Sequence, residues 1–598
     1  MHPAIQGAPN AVIESFVLKG YRWRVARDHA ADIQSANIDW LNLASFSGAT
    51  LIKRNSRRDV WQVRCGDRNY FVKTYDPSDP LVKIKSLLRG PTAECEWNVG
   101  LYAASHGIPA VMPVATAVTG FRGVSGPSLL ITEAVPDVEP LNQYWLSVRD
   151  DRHRANLLSE ALARLIARAH QCGFRHGDMH PGNILVRPAG RVGEVLFVDL
   201  HDVQIGRSVS LGDAVANLAQ LHQWFRRNSP LSRRRKFLEQ YLGYRNRFAQ
   251  ASPLARNFDI TPRGLIELLS VKADVHANRL WSKRDRRSLR SGSYFNRVRP
   301  APGWRGHVLL KSKHPPAGAQ AAKIEYSRGE WKEWLKSPLD WIDASKHQLI
   351  KDSHTATIVK ATLPTTEGPA EVIVKRPLAR NFIKRLAQTF GRSRNMRAWR
   401  MANRLLNRGL PVAQPLAIVE RFALGVFRTD SIGFTDYIPG SIDIETFLTR
   451  DLSKVPSSDR RRVKDQLIEA LVRIIRTFHD RGFAHRDLKA GNLLLNWSPP
   501  YDTPPRLTFI DMDGISHVRR ATPNHRNRAI VRLCVSVLNS PLCSRTDLLR
   551  FLKRDMIGFG RTDARWKDRW RECEALVRAK NVRKASRRQW KLDHYGRE

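Results

Sequence analysis

Two stretches of this chain carry the same polar residues at the same spacing: His176, Asp178 and Asn183 in RHGDMHPGNILV, and His485, Asp487 and Asn492 in AHRDLKAGNLLL. An aspartate followed five residues later by an asparagine offers a carboxylate to orient an acceptor hydroxyl and a side-chain oxygen to hold a divalent cation. A second carboxylate follows in each half, Asp199 in LFVDLHD and Asp511 in TFIDMDG, and a lysine lies near the end of an apolar run upstream, Lys73 in YFVKTY and Lys375 in VIVKRP. A lysine on the phosphates, a carboxylate and a carboxamide on magnesium, and a second carboxylate on the acceptor are what transfer of a phosphoryl group from ATP requires. The sequence therefore points to two sites for ATP and Mg2+. In them Asp178 and Asp487 are the catalytic aspartates, Asn183, Asp199, Asn492 and Asp511 the metal ligands, and Lys73 and Lys375 the phosphate-binding lysines.

Each residue alone has a plainer explanation. A lysine near a strand end is commonly a solvated edge residue, and one HxDxxxxN match can arise by chance; two in register, each with its lysine upstream, do not. For His176 and His485 the structural explanation prevails: a histidine two residues before the aspartate suits a buried, hydrogen-bonded brace of the loop. A metal-dependent hydrolase built on His176, Asp178, His180, Asp199 and His201 is the rival chemistry. The second copy argues against it, because Lys489 and Asp513 stand where His180 and His201 would be while both aspartates and the asparagine remain.

The elements that must position these residues also repeat. Residues 162–186 and 471–495 align without a gap, and each reads as an amphipathic helix ended by glycine, a short polar loop and a strand. WNVGLYAASHGIPAVMPVA (97–115) answers WRMANRLLNRGLPVAQPLA (399–417), a helix closed by glycine before a strand. The order is lysine strand, helix, helix, catalytic-type loop, hairpin, aspartate. The spacing predicts a domain over 1–285 and a second over 336–598. Residues 286–335, rich in basic residues, proline and glycine, are expected to form an exposed linker.

With 598 residues, 42% of them hydrophobic, the chain can bury two large cores. Lys plus Arg number 100 against 56 Asp plus Glu, a formal charge of +44 that attracts phosphate-rich partners. Nucleotides and anionic lipid both fit, with nucleic acid the weaker candidate. Stretches such as SRRRK (232–236), SKRDRRSLR (282–290) and RAKNVRKASRRQWK (578–591) are expected to favour an anionic membrane surface. The six cysteines form no CxxC pair, which suits a reducing cytoplasm, and no apolar run reaches the roughly 18 residues of a membrane span. A cytoplasmic protein, peripheral to the inner membrane at most, is the expectation.

At HGDMHPGNILV with VDLHDV, and at HRDLKAGNLLL with IDMDG, the chain resembles the Kdo/WaaP lipopolysaccharide-kinase family. That resemblance covers most of both halves. It implies an α+β architecture of two tandem protein-kinase-like bilobal domains, each with a β-rich N-lobe and an α-rich C-lobe, phosphorylating a sugar hydroxyl of a lipopolysaccharide core or related glycolipid. By the same resemblance Glu96, before Trp97, pairs with Lys73, whereas Ala398 stands before Trp399. Lys489 is placed to set a cation beside the transferring phosphate. Neither half contains GxGxxG; KRNSRRDVWQV with Ser56 and KDSHTATIVKA with Ser353 stand where a phosphate-covering loop belongs. No APE motif follows Asp199 or Asp511, which argues against a protein Ser/Thr kinase. The non-enzymatic alternative is a pseudokinase pair serving as a nucleotide-binding scaffold at a membrane.

Overall fold

The computed structural model describes residues 12–35, 38–40, 42–54, 58–76, 90–119, 126–188, 194–250, 258–312, 325–378, 391–518, 521–538, 540–557 and 566–595. It divides into two units, Met1–Arg279 and Leu280–Glu598.

In unit 1, strands β1 (Ile13–Leu18), β2 (Tyr21–Ala26), β3 (Ala49–Arg54), β4 (Arg58–Cys65), β5 (Arg68–Tyr75), β6 (Pro113–Val118) and β7 (Ser128–Glu133) form one antiparallel sheet, in the order β1-β2-β6-β7-β5-β4-β3. Tyr70 and Val72 of β5 bury into the apolar layer with Trp23, Val63 and Ile131. Lys73 points to the other face, as strand alternation requires. Helix α1 (Arg27–Ser35) follows β2, and helix α2 (Thr92–Ser105), between β5 and β6, packs Ala93 and Trp97 against Leu130.

The remainder of unit 1 is mainly helical. Helix α3 (Leu141–Val148) precedes α4 (Arg152–Gln171), which is capped by Asp151 accepting from the backbone of His153 and Arg154 and buries Leu158, Leu162, Leu165 and Ile166. Gly173 ends the helix at φ 70, and a Cβ there would lie 1.9 Å from the Gly206 carbonyl oxygen. Only glycine fits this turn. A short strand β8 (Glu139–Pro140) and the hairpin β10 (Ile184–Arg187) with β11 (Glu194–Phe197) make one small sheet, and β9 (Phe174–His176) with β12 (Val203–Ile205) a second. Helices α5 (Leu211–Asn228), α6 (Leu231–Gln250) and α7 (Pro262–Arg287) follow, the last containing the division between units.

Unit 2 repeats the plan. Its sheet has the order β13-β14-β18-β19-β17-β16-β15, from β13 (Phe295–Val298), β14 (Trp304–Leu309), β15 (Gln348–Ser353), β16 (Ala356–Thr365), β17 (Gly368–Pro377), β18 (Pro415–Ala423) and β19 (Phe427–Asp436). The linker expected over 286–335 is corrected here. β13, β14 and helix α8 (Arg328–Trp334) belong to unit 2, matching the first two strands of unit 1. Phe295, Trp304, Val308 and Trp331 give this basic stretch an apolar side that joins the sheet core, while Ser327 and Glu330 form a capping box on α8. Helix α9 (Arg394–Asn407), strand β20 (Ser441–Asp443), α10 (Ser457–Asp480), β21 (Phe483–His485), β22 (Leu493–Asn496), β23 (Arg506–Phe509), β24 (Ile515–His517), α11 (Pro523–Val537), α12 (Arg545–Ile557) and α13 (Trp566–Tyr595) complete the unit. No helix among the described residues is long and apolar enough to cross a membrane.

Gly306 on β14 tests this assignment. A Cβ there would sit 2.0 Å from the Ile418 carbonyl oxygen of the paired strand β18. In a flexible linker Gly306→Ala would be neutral or stabilise by up to about 1 kcal/mol. In the sheet it is expected to destabilise unit 2 by about 1–3 kcal/mol, read as a lower urea midpoint.

Candidate active sites

The catalytic-type loops are held by the same local construction. In unit 1, Asn183 donates through its side chain to the Asp178 carbonyl at 2.9 Å and to Asp178 Oδ2 at 3.3 Å. The Val198 N–H donates to the Asn183 carbonyl at 3.0 Å, so the β10–β11 hairpin brings Asn183 beside the residue preceding Asp199. In unit 2, Asn492 donates to the Asp487 carbonyl at 3.0 Å, and the Ile510 N–H to the Asn492 carbonyl at 3.2 Å. His176 is buried and bonded to the Val198 carbonyl, and buried His485 accepts from the Asp487 N–H. Behind His176, the Asn217 side chain bridges the His176 carbonyl and His170, which also bonds Tyr241. These histidines brace the loops.

The charged residues of unit 1 form one compact network. Lys73 Nζ is 2.5 Å from Glu96 Oε1 and 3.1 Å from Asp199 Oδ1. Glu96 Oε1 also accepts from the Leu200 N–H at 3.1 Å, and its Oε2 from the Tyr75 hydroxyl at 2.6 Å. Arg58 grips Asp199 in a bidentate pair at 2.7 and 2.8 Å, and His201 Nδ1 lies 2.8 Å from Asp199 Oδ1. Burial works to raise the Asp199 pKa, but hydrogen bonds from Arg58 and His201 and the charge of Lys73 outweigh it and hold the carboxyl far below the usual range. Asp178 is exposed.

Unit 2 gathers the corresponding residues more loosely. Lys375 Nζ is 3.6 Å from Asp511 Oδ1, and both side chains are more than a third exposed. Ala398 occupies on α9 the place of Glu96 on α2 and has no charge to offer. Asp513, where unit 1 has His201, donates its N–H to Asp511 Oδ1 and faces Arg394 and Arg397 at 3.8 and 3.7 Å. Asp487 is approached by Lys489 at 3.0 Å and by Arg532 at 3.3 Å. Lys580 of α13 also lies in this field. Burial first, then the charge of Arg532, lower its pKa to about 8, against the opposing pull of Asp487.

The two donor sets differ in how they suit Mg2+. Asp511, partly exposed and beside the hairpin that carries Asn492, offers oxygen donors of the kind Mg2+ takes. Asp199 is the same residue type, but cationic side chains occupy both of its oxygens. Ser56 lies outside the described residues. Ser353, expected to cover phosphates, ends β15 and donates its hydroxyl to the Ala356 carbonyl. Arg58, Tyr75, Arg532 and Lys580 were missed by sequence reasoning. Only the strand register, which sets it opposite Tyr75, could have singled out Arg58 in its arginine-rich turn.

The family model described as "Lipopolysaccharide kinase (Kdo/WaaP) family" matches residues 51–241 and 365–554, together more than half of the chain. The chain is 31% identical over 157 residues to the lipopolysaccharide core heptose(I) kinase WaaP of Pseudomonas aeruginosa, a match covering 26% of this chain and 56% of that protein. It is 32% identical over 105 residues to a 3-deoxy-D-manno-octulosonic acid kinase of Actinobacillus succinogenes, covering 17% of this chain and 38% of that one. The chain thus spans about half or less of the length of these curated relatives. A solved structure titled "WaaP in complex with acyl carrier protein" is similar at 19% identity and a TM-score of 0.30, over 38% of this chain and 88% of that one.

The buried histidines give the loops a pH dependence. Burial lowers His170 and His485 to about 4. Their neutral forms belong to the fold, so the stability they lend is present above pH 6.5 and is lost as pH falls from there towards 4, by about 1.4 kcal/mol per pH unit for each. Urea midpoints measured between pH 7 and pH 4.5 should fall, and His485→Gln should flatten the trend for unit 2.

Proposed function

This chain belongs to the lipopolysaccharide kinase (Kdo/WaaP) family, and from that premise we propose that it is an ATP- and Mg2+-dependent phosphotransferase acting on a sugar hydroxyl of a lipopolysaccharide core or related glycolipid. The observation that carries this reading is the recurrence, in both units, of a sheet lysine in contact with the hairpin aspartate, at 3.1 Å for Lys73 with Asp199 and 3.6 Å for Lys375 with Asp511. Each contact accompanies a loop whose asparagine is bonded to the catalytic-type aspartate.

In this reading Asp178 and Asp487 orient the acceptor hydroxyl and take its proton as its oxygen bonds the γ-phosphorus of ATP and the bond from that phosphorus to the bridging oxygen breaks, releasing ADP. Lys73 and Lys375 hold the nucleotide phosphates, with Lys73 preset by Glu96. Mg2+, when bound through Asp511 and Asn492, would neutralise charge on the phosphates. Lys489 adds a fixed cation beside Asp487 at the point of transfer. Arg532 and Lys580 extend that positive field and favour an acceptor that carries negative charge near its reacting hydroxyl. Unit 1 has the neutral Gln220 bonded to the Gly177 carbonyl and the Met179 N–H on the corresponding helix.

Transfer of labelled phosphate from ATP to a lipopolysaccharide extract tests the assignment. Asp178→Asn and Asp487→Asn are each expected to lower turnover by orders of magnitude at their own site while ATP affinity stays nearly constant. Full activity in the double variant would show that these loops are not the active sites.

Work at the cytoplasmic face of the inner membrane is the accompanying reading. Two of the basic stretches are anchored at a few points, Arg233 stacking on Trp145, Arg234 lying by His222, and Asp285 and Ser288 bonding Arg408 and Trp399, while Arg235, Lys236, Lys283, Arg284, Arg286, Arg287 and Arg290 stay exposed. Helix α13 retains exposed Val582, Trp590 and Leu592 among basic residues and is the better contact. The protein should sediment with anionic vesicles and be released as salt shortens the Debye length from about 10 Å at 0.1 M to about 3 Å at 1 M. Equal binding to neutral vesicles would overturn this reading.

A further inference from the structure

The units differ in what surrounds the second aspartate: Arg58 and His201 contact Asp199, whereas Asp513 stands in the place of His201 beside Asp511. Arg58 opens β4 and pairs in register with Tyr75, two residues beyond Lys73, so Arg58, Lys73 and Tyr75 share one face of the sheet. Its two terminal nitrogens lie 2.7 and 2.8 Å from the two oxygens of Asp199. The Arg58 and Asp199 side chains are only 14% and 18% exposed. In unit 2 the residue in register with Pro377, two beyond Lys375, is Ala356, whose methyl group carries no charge.

A magnesium ion needs a carboxylate oxygen at about 2.0–2.1 Å. At Asp199 one oxygen faces Arg58, Lys73 and His201, and the other faces Arg58. A guanidinium stays charged throughout the physiological pH range, and its planar fork matches carboxylate and phosphate alike. The pair with Asp199 uses two of a guanidinium's five N–H donors, and the contacts to Glu96 and Asp199 use two of an ammonium's three. Donors therefore remain on the face that Arg58 and Lys73 share.

We propose that Arg58 takes the place of the divalent cation at Asp199, so that unit 1 binds the phosphates of a nucleoside triphosphate through Arg58 and Lys73 without a metal ion. The inference rests on the reading of unit 1 as a kinase-like nucleotide site. It divides the two units chemically: unit 2 is the metal-dependent site, and unit 1 engages nucleotide whether or not magnesium is present.

The test uses the full chain carrying Lys375→Ala and Asp511→Asn, which silence unit 2, with ATP binding measured by calorimetry in EDTA and in Mg2+. Binding in EDTA within about threefold of that in Mg2+ is expected. Arg58→Ala should weaken the EDTA value by about tenfold or more, the effect of losing one charge-assisted contact, and Arg58→Lys should recover part of it. Binding that vanishes in EDTA and returns with Mg2+ overturns the inference and leaves the kinase reading standing. Absence of binding in both buffers overturns the two together. Unchanged EDTA binding in Arg58→Ala, with the variant shown to be folded by its thermal transition, also overturns the inference.

Discussion

Unit 1 is organised around a lysine that has been taken out of water. Lys73 is 8% exposed and Glu96 3%, and removing an ammonium and a carboxylate from solvent costs several kcal/mol per ion unless partners replace the lost hydration. Those partners come from separate places: Glu96 from α2, Tyr75 from the same strand, the Leu200 N–H and Asp199 from the segment after β11. The helix must therefore sit where Glu96 reaches the sheet, and the hairpin must end where Asp199 does. Asp199 adopts φ 63 and ψ 62, a left-handed conformation that costs a non-glycine residue about 1–3 kcal/mol. Four contacts on its carboxylate hold it there.

Unit 2 secures the corresponding helix by other means. The indole of Trp399 donates to the Ser288 carbonyl at 3.0 Å, Arg408 pairs with Asp285 at 3.1 Å, and Asn395 donates to the carbonyls of Lys375 and Ser431 at 3.0 and 3.1 Å. Helix α9 is thus held by neutral hydrogen bonds and by ion pairs of Arg404 and Arg408 with Asp285 and of Arg394 and Arg397 with Asp513, rather than by a buried glutamate. In unit 1 the equivalent indole, Trp97, is 1% exposed with no partner for its N–H among the described residues. The consequence is electrostatic. Where solvent reaches Lys375 and Asp511 their attraction is weak, whereas unit 1 assembles its charged network out of water.

Much of this was legible because the architecture repeats linearly: the loop, hairpin and strand lysine recur in order, and amphipathic helices run into glycines that can terminate them. The family match covers the same two stretches. What the sequence hid was set by pairing across strands. Arg58 matters because register puts it opposite Tyr75, and nothing in KRNSRRDVWQV separates it from its neighbouring arginines. The expected linker failed for a related reason. FNRV and WRGHVL are too short and too basic to show alternation clearly, yet Trp304 and Val308 are 6% and 0% exposed once paired with β18.

The charge of +44 also divides into parts with different meanings. Arg245 is fully buried on α6, bonded to the Val209 carbonyl and 4.7 Å over the Phe258 ring, and Arg408 is 2% exposed over Trp281 at 5.1 Å. A weakly hydrated, planar guanidinium can serve inside a fold as a hydrogen-bonding plate, a role for which a lysine ammonium is poorly shaped. Arginines of this kind add to the net charge without adding to the field a partner feels. The cations around Asp487 are the opposite case, because Lys489 is half exposed and Arg532 more than a third exposed, beside the Asp487 carboxylate. A sum over the sequence weighs both kinds equally; position separates charge that holds the structure together from charge left open to solvent.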